Sequence, residues 1–456
     1  MIDFTNYLSP GRKGYLIGIG GVSMSSLAEV LQGMGISISG SDMNDNQNVR
    51  SLREKGIEVF IGHTASNMSE DIEFVVRTAA VHDENPEIVY AHEHGIPVFE
   101  RTQAWGAISK DYSNALCIAG THGKTTTTSM CTHILMAADR DPTVMIGGTL
   151  PLLNAGHRVG RGNTIIMEAC EYYNSFLSFH PTVAVILNIE ADHLDFFKDL
   201  KDVENSFRAF AERVPMEEGC VVANFDDENT LETIKGIDRK VITFGLSSDA
   251  DVYAENITFL GSTTQFDIMY KGKLFTDVTL HVPGIHNVKN ALAATAASIC
   301  IGIKPLAVKY GLAGFNGAGR RFEFKGKFNG ADIYDDYAHH PSELEALMDA
   351  VKNLNYQRSI VVFQPHTYTR TAALFDDFVK ELKKPDVLLL AEIFAAREKN
   401  TIGISSAALA KEIEGASFYP SFDELEAVLR AIARPGDIIL TVGAGDVFKL
   451  GERLAE

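Results

Sequence analysis

The segment at residues 115–127 carries the clearest chemical signal in the sequence. It reads A-L-C-I-A-G-T-H-G-K-T-T-T, an apolar run followed by a glycine-containing turn and a run with helix-forming character. Such glycines let backbone N–H groups close around phosphate oxygens at a helix N-terminus. Lys124 would neutralise the β- and γ-phosphates and the Thr125 hydroxyl would ligate Mg²⁺. The residues predicted to bind a nucleoside triphosphate are Gly120, Thr121, His122, Gly123, Lys124, Thr125 and Thr126.

The loop is shorter than an ordinary P-loop, because Ile118 occupies the position where that motif has its first glycine. The alternative is a glycine turn that caps a helix and leaves the lysine exposed. The combination of strand, loop, Lys-Thr pair and helix favours the phosphate site.

Two acidic clusters follow predicted strands. Residues 166–171 read I-M-E-A-C-E and residues 188–195 read N-I-E-A-D-H-L-D. Ligands gather at the carboxyl ends of strands in α/β sheets, and carboxylates are usual Mg²⁺ ligands in phosphoryl transfer. The alternative is a pair of solvated acidic loops, and Glu171, Glu190, Asp192 and Asp195 could each be a helix cap or a solvated charge.

A second glycine turn lies near the N-terminus, where residues 16–23 read L-I-G-I-G-G-V-S. The turn ends a predicted strand and opens a helix, as in dinucleotide-binding folds. Ser23 replaces the third glycine, which weakens a nicotinamide interpretation. A nicotinamide-dependent dehydrogenase and a plain turn with no ligand both remain open.

The elements that position these motifs alternate between short apolar runs and helix-period segments. This alternation predicts parallel sheets covered by helices, an α/β fold. Predicted helices include 23–34 and 125–138, and a helix should open after Gly284. Breaks near 106–112 and in the glycine-rich run 311–319 predict domains at 1–108, 109–317 and 318–456. The predicted strands are 15–19, 36–39, 74–76, 115–119, 164–167, 183–187, 360–363, 387–391 and 438–442.

Composition narrows the class of protein. The 456 residues, 45% of them hydrophobic and 22% charged, fit about three globular domains. The formal net charge is −19 and no basic tract occurs, which argues against a nucleic-acid partner. The apolar stretch 291–303 is too short to span a bilayer, and the N-terminus lacks a signal-peptide core. Five scattered cysteines fit a cytoplasmic protein. The sequence does not indicate an oligomeric state.

The loop G-T-H-G-K-T-T-T resembles the ATP loop of the Mur ligases, and further motifs from Gly18 to about Thr371 follow that family's order. The resemblance implies three α/β domains: an N-terminal Rossmann-like domain for UDP, a central P-loop-type ATPase sheet and a C-terminal Rossmann-like domain. It implies ATP and Mg²⁺ as cofactors. Glu168 and His193 would hold a metal near the acyl phosphate, and Thr125 would serve the ATP-bound one.

The resemblance also assigns ligand contacts in the first two domains. Ser41, Asp42 and the strand end 78–80, with Thr78 foremost, would lie near uridine. Asn287 and Asn290 of the H-N-x-x-N motif would meet adenine, although an Asn cap on a packing helix is the alternative. The diphosphate would be cradled by Gly18, Gly20, Gly21 and Ser23.

The C-terminal motifs are assigned in the same way. Of the adjacent pair Arg320 and Arg321, Arg321 is chosen to reach the γ-phosphate, and a solvated basic pair is the alternative. Residues 334–341, Y-D-D-Y-A-H-H-P, resemble the family's D-D-Y-G-H-H-P, with Asp336 assigned to ATP. Residues 363–371 resemble Q-P-H-R-Y-T-R-T, but Thr367 replaces an arginine. The predicted amino-acid contacts are Tyr337, His339, His366 and Arg370, and the predicted catalytic residues are Lys124, Glu168, His193 and Arg321.

The resemblance is most detailed to members that add L-alanine to UDP-N-acetylmuramate in peptidoglycan precursor synthesis. Many other members carry a carbamylated lysine after the D-H motif, and residues 202–212 contain no lysine. This absence favours alanine addition. The alternatives are a ligase that attaches a recycled peptide to the same sugar nucleotide, the dehydrogenase, and an ATP switch without catalysis.

Overall fold

The computed structural model describes residues 3–78 and 80–455. Its strands form three sheets of five, ten and six strands, and helices connect most of the parallel strands. The predicted α/β fold is confirmed. Within these two ranges, no helix combines the length and the apolarity needed to cross a membrane.

The N-terminal sheet contains five strands, β1 (Lys13–Ile17), β2 (Ser37–Asp42), β3 (Glu58–Ile61), β4 (Phe74–Arg77) and β5 (Val98–Glu100). Their order is β3-β2-β1-β4-β5, and every neighbouring pair is parallel. The loops that follow the strands therefore share one edge of the sheet, where ligands of such sheets bind. The accompanying helices are α1 (Val22–Gly33), α2 (Gln47–Glu54), α3 (Pro86–Glu93) and α4 (Arg101–Ser109).

The central sheet contains β6 (Asn114–Ala119), β7 (Thr143–Leu150), β8 (Ala155–Arg158), β9 (Thr164–Glu168), β10 (Val183–Ile186), β11 (Cys220–Asn224), β12 (Val241–Gly245), β13 (Val252–Leu260), β14 (Thr263–Tyr270) and β15 (Lys273–Leu280). The order is β15-β14-β13-β12-β11-β10-β6-β9-β7-β8. Strand β6 runs parallel to β9 and β10, its neighbours on either side. The helices are α5 (Lys124–Ala137), α6 (Leu200–Ala211), α7 (Glu228–Ile234), α8 (Ile285–Cys300) and α9 (Pro305–Ala313).

The C-terminal sheet contains β16 (Glu323–Phe328), β17 (Ala331–Asp336), β18 (Arg358–Phe363), β19 (Val387–Leu390), β20 (Ser417–Phe418) and β21 (Asp437–Val442). The order is β16-β17-β21-β18-β19-β20, and only the β16–β17 pair is antiparallel. The helices are α10 (Pro341–Lys352), α11 (Tyr368–Ala373), α12 (Phe375–Glu381), α13 (Ser406–Lys411), α14 (Phe422–Ile432) and α15 (Phe448–Ala455).

The chain groups into two compact units. The larger runs as far as Glu255 and adds Asp267–Val278 and Lys289–Gly314, and the smaller comprises Asn256–Phe266, Thr279–Val288 and the chain from Phe315 onward. In the larger unit one apolar core continues from the N-terminal sheet through Trp105 of α4 to the central sheet. In the smaller unit apolar clusters cover both faces of the six-stranded sheet.

The predicted strands and helices are confirmed within a few residues, the usual uncertainty of element ends. The two segments expected at domain breaks, 106–112 and 311–319, are partly helical. Gly106 lies inside α4, where an added Cβ would come within 2.0 Å of the Ser178 carbonyl oxygen. Gly311 lies inside α9, where a Cβ would come within 2.4 Å of Ile134 Cα. These glycines permit close packing, and the boundaries at 108/109 and 317/318 stay predictions.

Candidate active site

The predicted phosphate loop connects β6 to α5. Gly120 and Gly123 have φ of +147° and +84°, backbone conformations that favour glycine. A Cβ on Gly120 would come within 2.8 Å of Leu187 Cβ, and one on Gly123 within 2.7 Å of Asn290 Oδ1. Gly123 is the N-cap of α5, so the first N–H groups of that helix point into the loop. Backbone and helix end therefore form the anion cradle that the sequence predicts.

Lys124 is held over this loop by a buried carboxylate. Its Nζ lies 3.0 Å from Glu171 Oε2 and 3.1 Å from the Thr121 carbonyl oxygen. Glu171 is only 2% exposed. Burial alone would lower the pKa of Lys124, but the carboxylates of Glu171 and Glu168 outweigh burial and raise it. Lys124 is thus a charged lysine at physiological pH. Glu171, which the sequence alone does not distinguish from a helix cap or a solvated charge, orients the Lys124 side chain.

Glu168, at the end of β9, bonds to the first turn of α5. Its two oxygens accept the Thr125 hydroxyl at 3.0 and 3.1 Å, and Oε2 also accepts the Gly147 N–H at 2.8 Å. A hydroxyl and a carboxylate adjacent to a phosphate cradle are the oxygen ligands that Mg²⁺ prefers. The donor set therefore fits Mg²⁺, and the predicted metal roles of Thr125 and Glu168 are consistent with their contacts.

His193 approaches the same loop from the segment after β10. Its φ is +55°, and its ring stacks on Tyr172 with centroids 4.3 Å apart. The Tyr172 hydroxyl donates to Asp195 Oδ2 at 2.5 Å, which fixes the stack. His193 Nε2 lies 3.8 Å from Glu171 Oε1. The predicted metal ligand is therefore next to the carboxylate that holds Lys124.

Asn188 shapes the loop backbone, a role that no motif in the sequence indicates. Its carbonyl oxygen accepts the Thr121 N–H at 3.1 Å, its Oδ1 accepts the His122 N–H at 2.8 Å, and its Nδ2 donates to the His122 carbonyl at 3.2 Å. The Glu190 N–H donates to Thr121 Oγ1 at 2.9 Å.

Further residues predicted to bind ATP lie on α5 and α8. Thr126 is buried in the first turn of α5. Asn290, predicted to meet adenine, accepts the Thr127 hydroxyl at 3.3 Å. Asn287 lies on the same helix, α8, and donates to the Pro283 carbonyl at 2.7 Å.

The N-terminal glycine turn is built around Asp42. The carboxylate accepts the Gly20 N–H at 2.9 Å, and the Ser41 carbonyl accepts the Gly18 N–H at 2.8 Å. Gly18 has φ of +79°, and a Cβ there would come within 2.8 Å of Thr78 Cγ2. Gly21 is the N-cap of α1, and Ser23 lies in its first turn. The predicted diphosphate and uridine contacts share the carboxyl edge of the sheet, except Ala79, which lies outside the described residues.

Ser41 differs from the other residues of this edge, because its side chain is fully buried. Its hydroxyl donates to Glu87 Oε2 at 2.7 Å and lies 2.9 Å from His63 Nδ1. Glu87 is also fully buried and accepts the Tyr15 hydroxyl at 2.9 Å and Asn67 Nδ2 at 2.8 Å. This polar cluster lies under the strand ends, and the sequence did not indicate it.

In the smaller unit the two adjacent arginines have different environments. Arg320 Nε donates to buried Asp335 at 3.0 Å, and its other nitrogens donate to the Gly443 and Gly445 carbonyls. The guanidinium of Arg321 lies over the Tyr337 ring at 5.0 Å, and Nη1 lies 3.5 Å from Glu343 Oε1. Because the guanidinium of Arg320 is already hydrogen-bonded to Asp335 and two carbonyls, these contacts support the choice of Arg321 as the arginine that binds phosphate.

Asp336 is the last residue of β17, and its carboxylate faces two backbone donors. Its Oδ2 accepts the Phe322 N–H and its Oδ1 accepts the Ala338 N–H, both at 2.8 Å. Burial raises the pKa of Asp336 to about 6, although Arg321 and the two N–H groups act in the opposite direction. Its predicted ATP contact stays a prediction.

The predicted amino-acid residues form one cluster. His339 Nδ1 lies 3.1 Å from the Tyr337 carbonyl and also 3.1 Å from Glu343 Oε2. The His339 and His366 rings are 5.8 Å apart, and Arg370 Nη1 lies 3.3 Å from His366 Nδ1. Thr367, which replaces an arginine, caps α11 with φ of +65°. Arg370 is therefore brought beside the two histidines, as its proposed role at a carboxylate requires.

Known proteins match the chain over nearly its whole length. The family models "Mur ligase family, catalytic domain", "Mur ligase middle domain" and "Mur ligase, glutamate ligase domain" match residues 14–113, 118–298 and 320–445. The chain is 45% identical over 451 residues to the UDP-N-acetylmuramate–L-alanine ligase of Clostridium novyi, covering 98% of this chain and 97% of that protein. The Agathobacter rectalis protein of the same name is 46% identical over 445 residues, covering 96% and 97%.

Solved structures agree with this match. The UDP-N-acetylmuramate-alanine ligase of Thermotoga maritima superposes with a TM-score of 0.81 at 28% identity, covering 97% of this chain and 98% of that one. A murein peptide ligase from Psychrobacter arcticus gives a TM-score of 0.72 at 23% identity, covering 97% and 98%, and shows the common fold. With three family models in order and a full-length relative at 45% identity, the chain belongs to the Mur ligase family.

Proposed function

We propose that this protein is an ATP-dependent, ADP-forming ligase that joins L-alanine to UDP-N-acetylmuramate in peptidoglycan precursor synthesis. The observation that carries the proposal is the cluster of Lys124, Glu171 and Glu168 around the phosphate loop, at the ends of two neighbouring strands, β6 and β9. The relatives named as UDP-N-acetylmuramate–L-alanine ligases support the choice of substrates. Since both substrates of the first step are nucleotides, we place the protein in the cytoplasm.

The reaction has two steps. The muramyl carboxylate attacks the γ-phosphorus of ATP, which gives an acyl phosphate and ADP. The amine of L-alanine then attacks the acyl carbon, and phosphate leaves. Both steps bring anions together, so the chain must offset charge and fix geometry. Lys124 and the N–H groups of the loop do this for the phosphates, and Arg321 contributes a second cation. Two Mg²⁺ ions, one held by Thr125 and the other by Glu168 and His193, would neutralise charge on the transferred phosphoryl group.

The two remaining substrate parts are assigned to other elements. The glycine turn after β1 provides N–H groups and a helix N-terminus for the diphosphate of the sugar nucleotide. Arg370, beside His366 and His339, provides a guanidinium for the carboxylate of L-alanine. Thr367 has no guanidinium, so within residues 363–371 only Arg370 can form an ion pair with the carboxylate of L-alanine.

An ADP-release assay with UDP-N-acetylmuramate and a panel of acceptors tests the proposal. L-alanine should give the highest kcat/KM, and glycine and L-serine measure selectivity. If a peptide acceptor but not L-alanine supports ADP release, the substrate assignment is wrong and the ligase assignment stands. No release with any acceptor would favour an ATP switch. A change in NADH fluorescence on mixing would favour the dehydrogenase, which leaves Lys124 without a role.

A further inference from the structure

Arg101 is the first residue of α4 and follows β5 directly. It therefore lies at the carboxyl edge of the N-terminal sheet, the edge that also carries the glycine turn after β1, Asp42 at the end of β2 and Thr78 after β4. The residue is half-buried. It has no role in any motif described above.

The guanidinium of Arg101 has no hydrogen-bond or ion-pair partner among residues 3–78 and 80–455. The neighbouring carboxylate of Glu100 is used elsewhere, because Arg77 Nε donates to its Oε1 at 2.7 Å and its side chain also caps α4. Burial lowers the pKa of Arg101, and Cys170 and Glu100 only partly oppose that effect. A half-buried guanidinium without a counter-charge is costly, so such a residue usually meets an anion that the protein itself does not provide.

The surroundings of Arg101 indicate which anion this is. Helix α4 packs against the 3-10 helix Tyr172–Ser178, since Gly106 abuts the Ser178 carbonyl and the His180 N–H donates to Ser109 Oγ at 3.1 Å. That 3-10 helix directly follows Glu171, the residue that pairs with Lys124, and begins four residues after Glu168. Arg101 is thus on the edge proposed for UDP and beside the loop proposed for phosphoryl transfer.

We propose that Arg101 binds an oxyanion of the sugar nucleotide, either its diphosphate or its muramyl carboxylate, and positions that substrate between the UDP edge and the phosphate loop. The inference rests on the proposed function. Arginine suits this role because its planar guanidinium bonds a phosphate or a carboxylate through two parallel N–H groups. On binding, the substrate supplies the missing counter-charge.

Isothermal titration of UDP-N-acetylmuramate in the absence of ATP tests the proposal with Arg101→Gln and Arg101→Lys. A charge-assisted hydrogen bond contributes enough that Arg101→Gln should weaken binding by about tenfold or more, and Arg101→Lys should recover part of the loss. UDP-N-acetylglucosamine, which has the diphosphate but lacks the carboxylate, distinguishes the two sources. A loss with both ligands assigns the diphosphate, and a loss with UDP-N-acetylmuramate alone assigns the carboxylate.

Arg12→Gln is the matched control. Arg12 forms an ion pair with Glu73 at the start of β1, away from this edge, so its loss should leave affinity unchanged. Unchanged affinity in Arg101→Gln would overturn the inference while leaving the proposed function intact. Absence of binding by the wild-type protein would instead overturn the proposed function. Because Arg101 has no protein partner, Arg101→Gln should melt no lower than the wild type, and a large fall in Tm with equal loss of ATP binding would mean that the residue is structural.

Discussion

Lys124 and Glu171 form a buried ion pair at the base of the phosphate loop, with Nζ 3.0 Å from Oε2 and the glutamate 2% exposed. The glutamate keeps the lysine charged and fixes the direction of its side chain. An entering triphosphate would compete with Glu171 for the same ammonium group. Glu171 thus belongs to the proposed nucleotide site although it needs no contact with the nucleotide.

Lys124→Met should abolish ADP release and leave the affinity for UDP-N-acetylmuramate nearly intact, since the glycine turn of the N-terminal sheet does not involve Lys124. The variant leaves Glu171 as an uncompensated buried charge, which costs about 3–5 kcal/mol. The double variant Lys124→Met/Glu171→Gln removes that charge and should recover stability in urea unfolding without recovering activity. Equal losses of turnover and of UDP-sugar affinity would show that the two nucleotide sites are misplaced.

Glu168→Gln should weaken metal binding more than nucleotide binding. The carboxylate faces the Thr125 hydroxyl, and an amide is a weaker ligand for a hard divalent cation. Mn²⁺ binding followed by electron paramagnetic resonance, with ATP present, measures this directly. Glu217→Gln is the matched control, because that carboxylate is exposed and lies in the connection between α6 and β11. Wild-type Mn²⁺ affinity in Glu168→Gln would remove Glu168 from the metal site.

Short-range patterns predicted the parts of the fold and site that depend on local sequence. The apolar run 115–119, the turn glycines and Lys124 are adjacent in the chain, so strand, loop and helix N-terminus could be predicted together. Strands β13, β14 and β15 were not predicted, because their exposed faces break up the apolar runs used to identify strands.

Roles that depend on long-range packing could not be predicted in this way. Glu171 is 47 residues from Lys124 and Glu87 is 72 residues from Tyr15. In the sequence alone, each of these glutamates is indistinguishable from a solvated charge. The helical positions of Gly106 and Gly311 could not be predicted either, because a glycine needed for close helix packing looks the same in the sequence as one at a domain break.

Glu87→Gln should destabilise the N-terminal sheet. The carboxylate accepts hydrogen bonds from Tyr15, Ser41 and Asn67. A glutamine would point its N–H₂ group at side chains that are themselves donors, so the hydrogen bonds at that end of the side chain would be lost. Hydrogen bonds to a buried charge contribute about 1.5–3 kcal/mol each, and because glutamine keeps one acceptor oxygen, the loss of one or two of the three should lower the free energy of unfolding by about 2–6 kcal/mol. Urea unfolding measures it, with the exposed Glu93→Gln on the same helix as control. A stability equal to that of the control would mean that the cluster does not hold the strand ends.

Asp336→Asn should change how stability depends on pH. The pKa of Asp336 is raised from 3.8 to about 6 in the folded protein, first by burial. A raised carboxyl pKa means that folding favours the protonated form, so the wild type loses stability as pH rises from about 4 to 6 and the loss is complete above that range. The shift corresponds to up to about 3 kcal/mol. The free energy of unfolding of Asp336→Asn should therefore rise relative to that of the wild type between about pH 4 and 6, and the difference should stay constant at higher pH. The exposed Asp376→Asn provides the baseline, and a difference that stays flat between pH 4 and 7 would show that Asp336 keeps an ordinary carboxyl pKa.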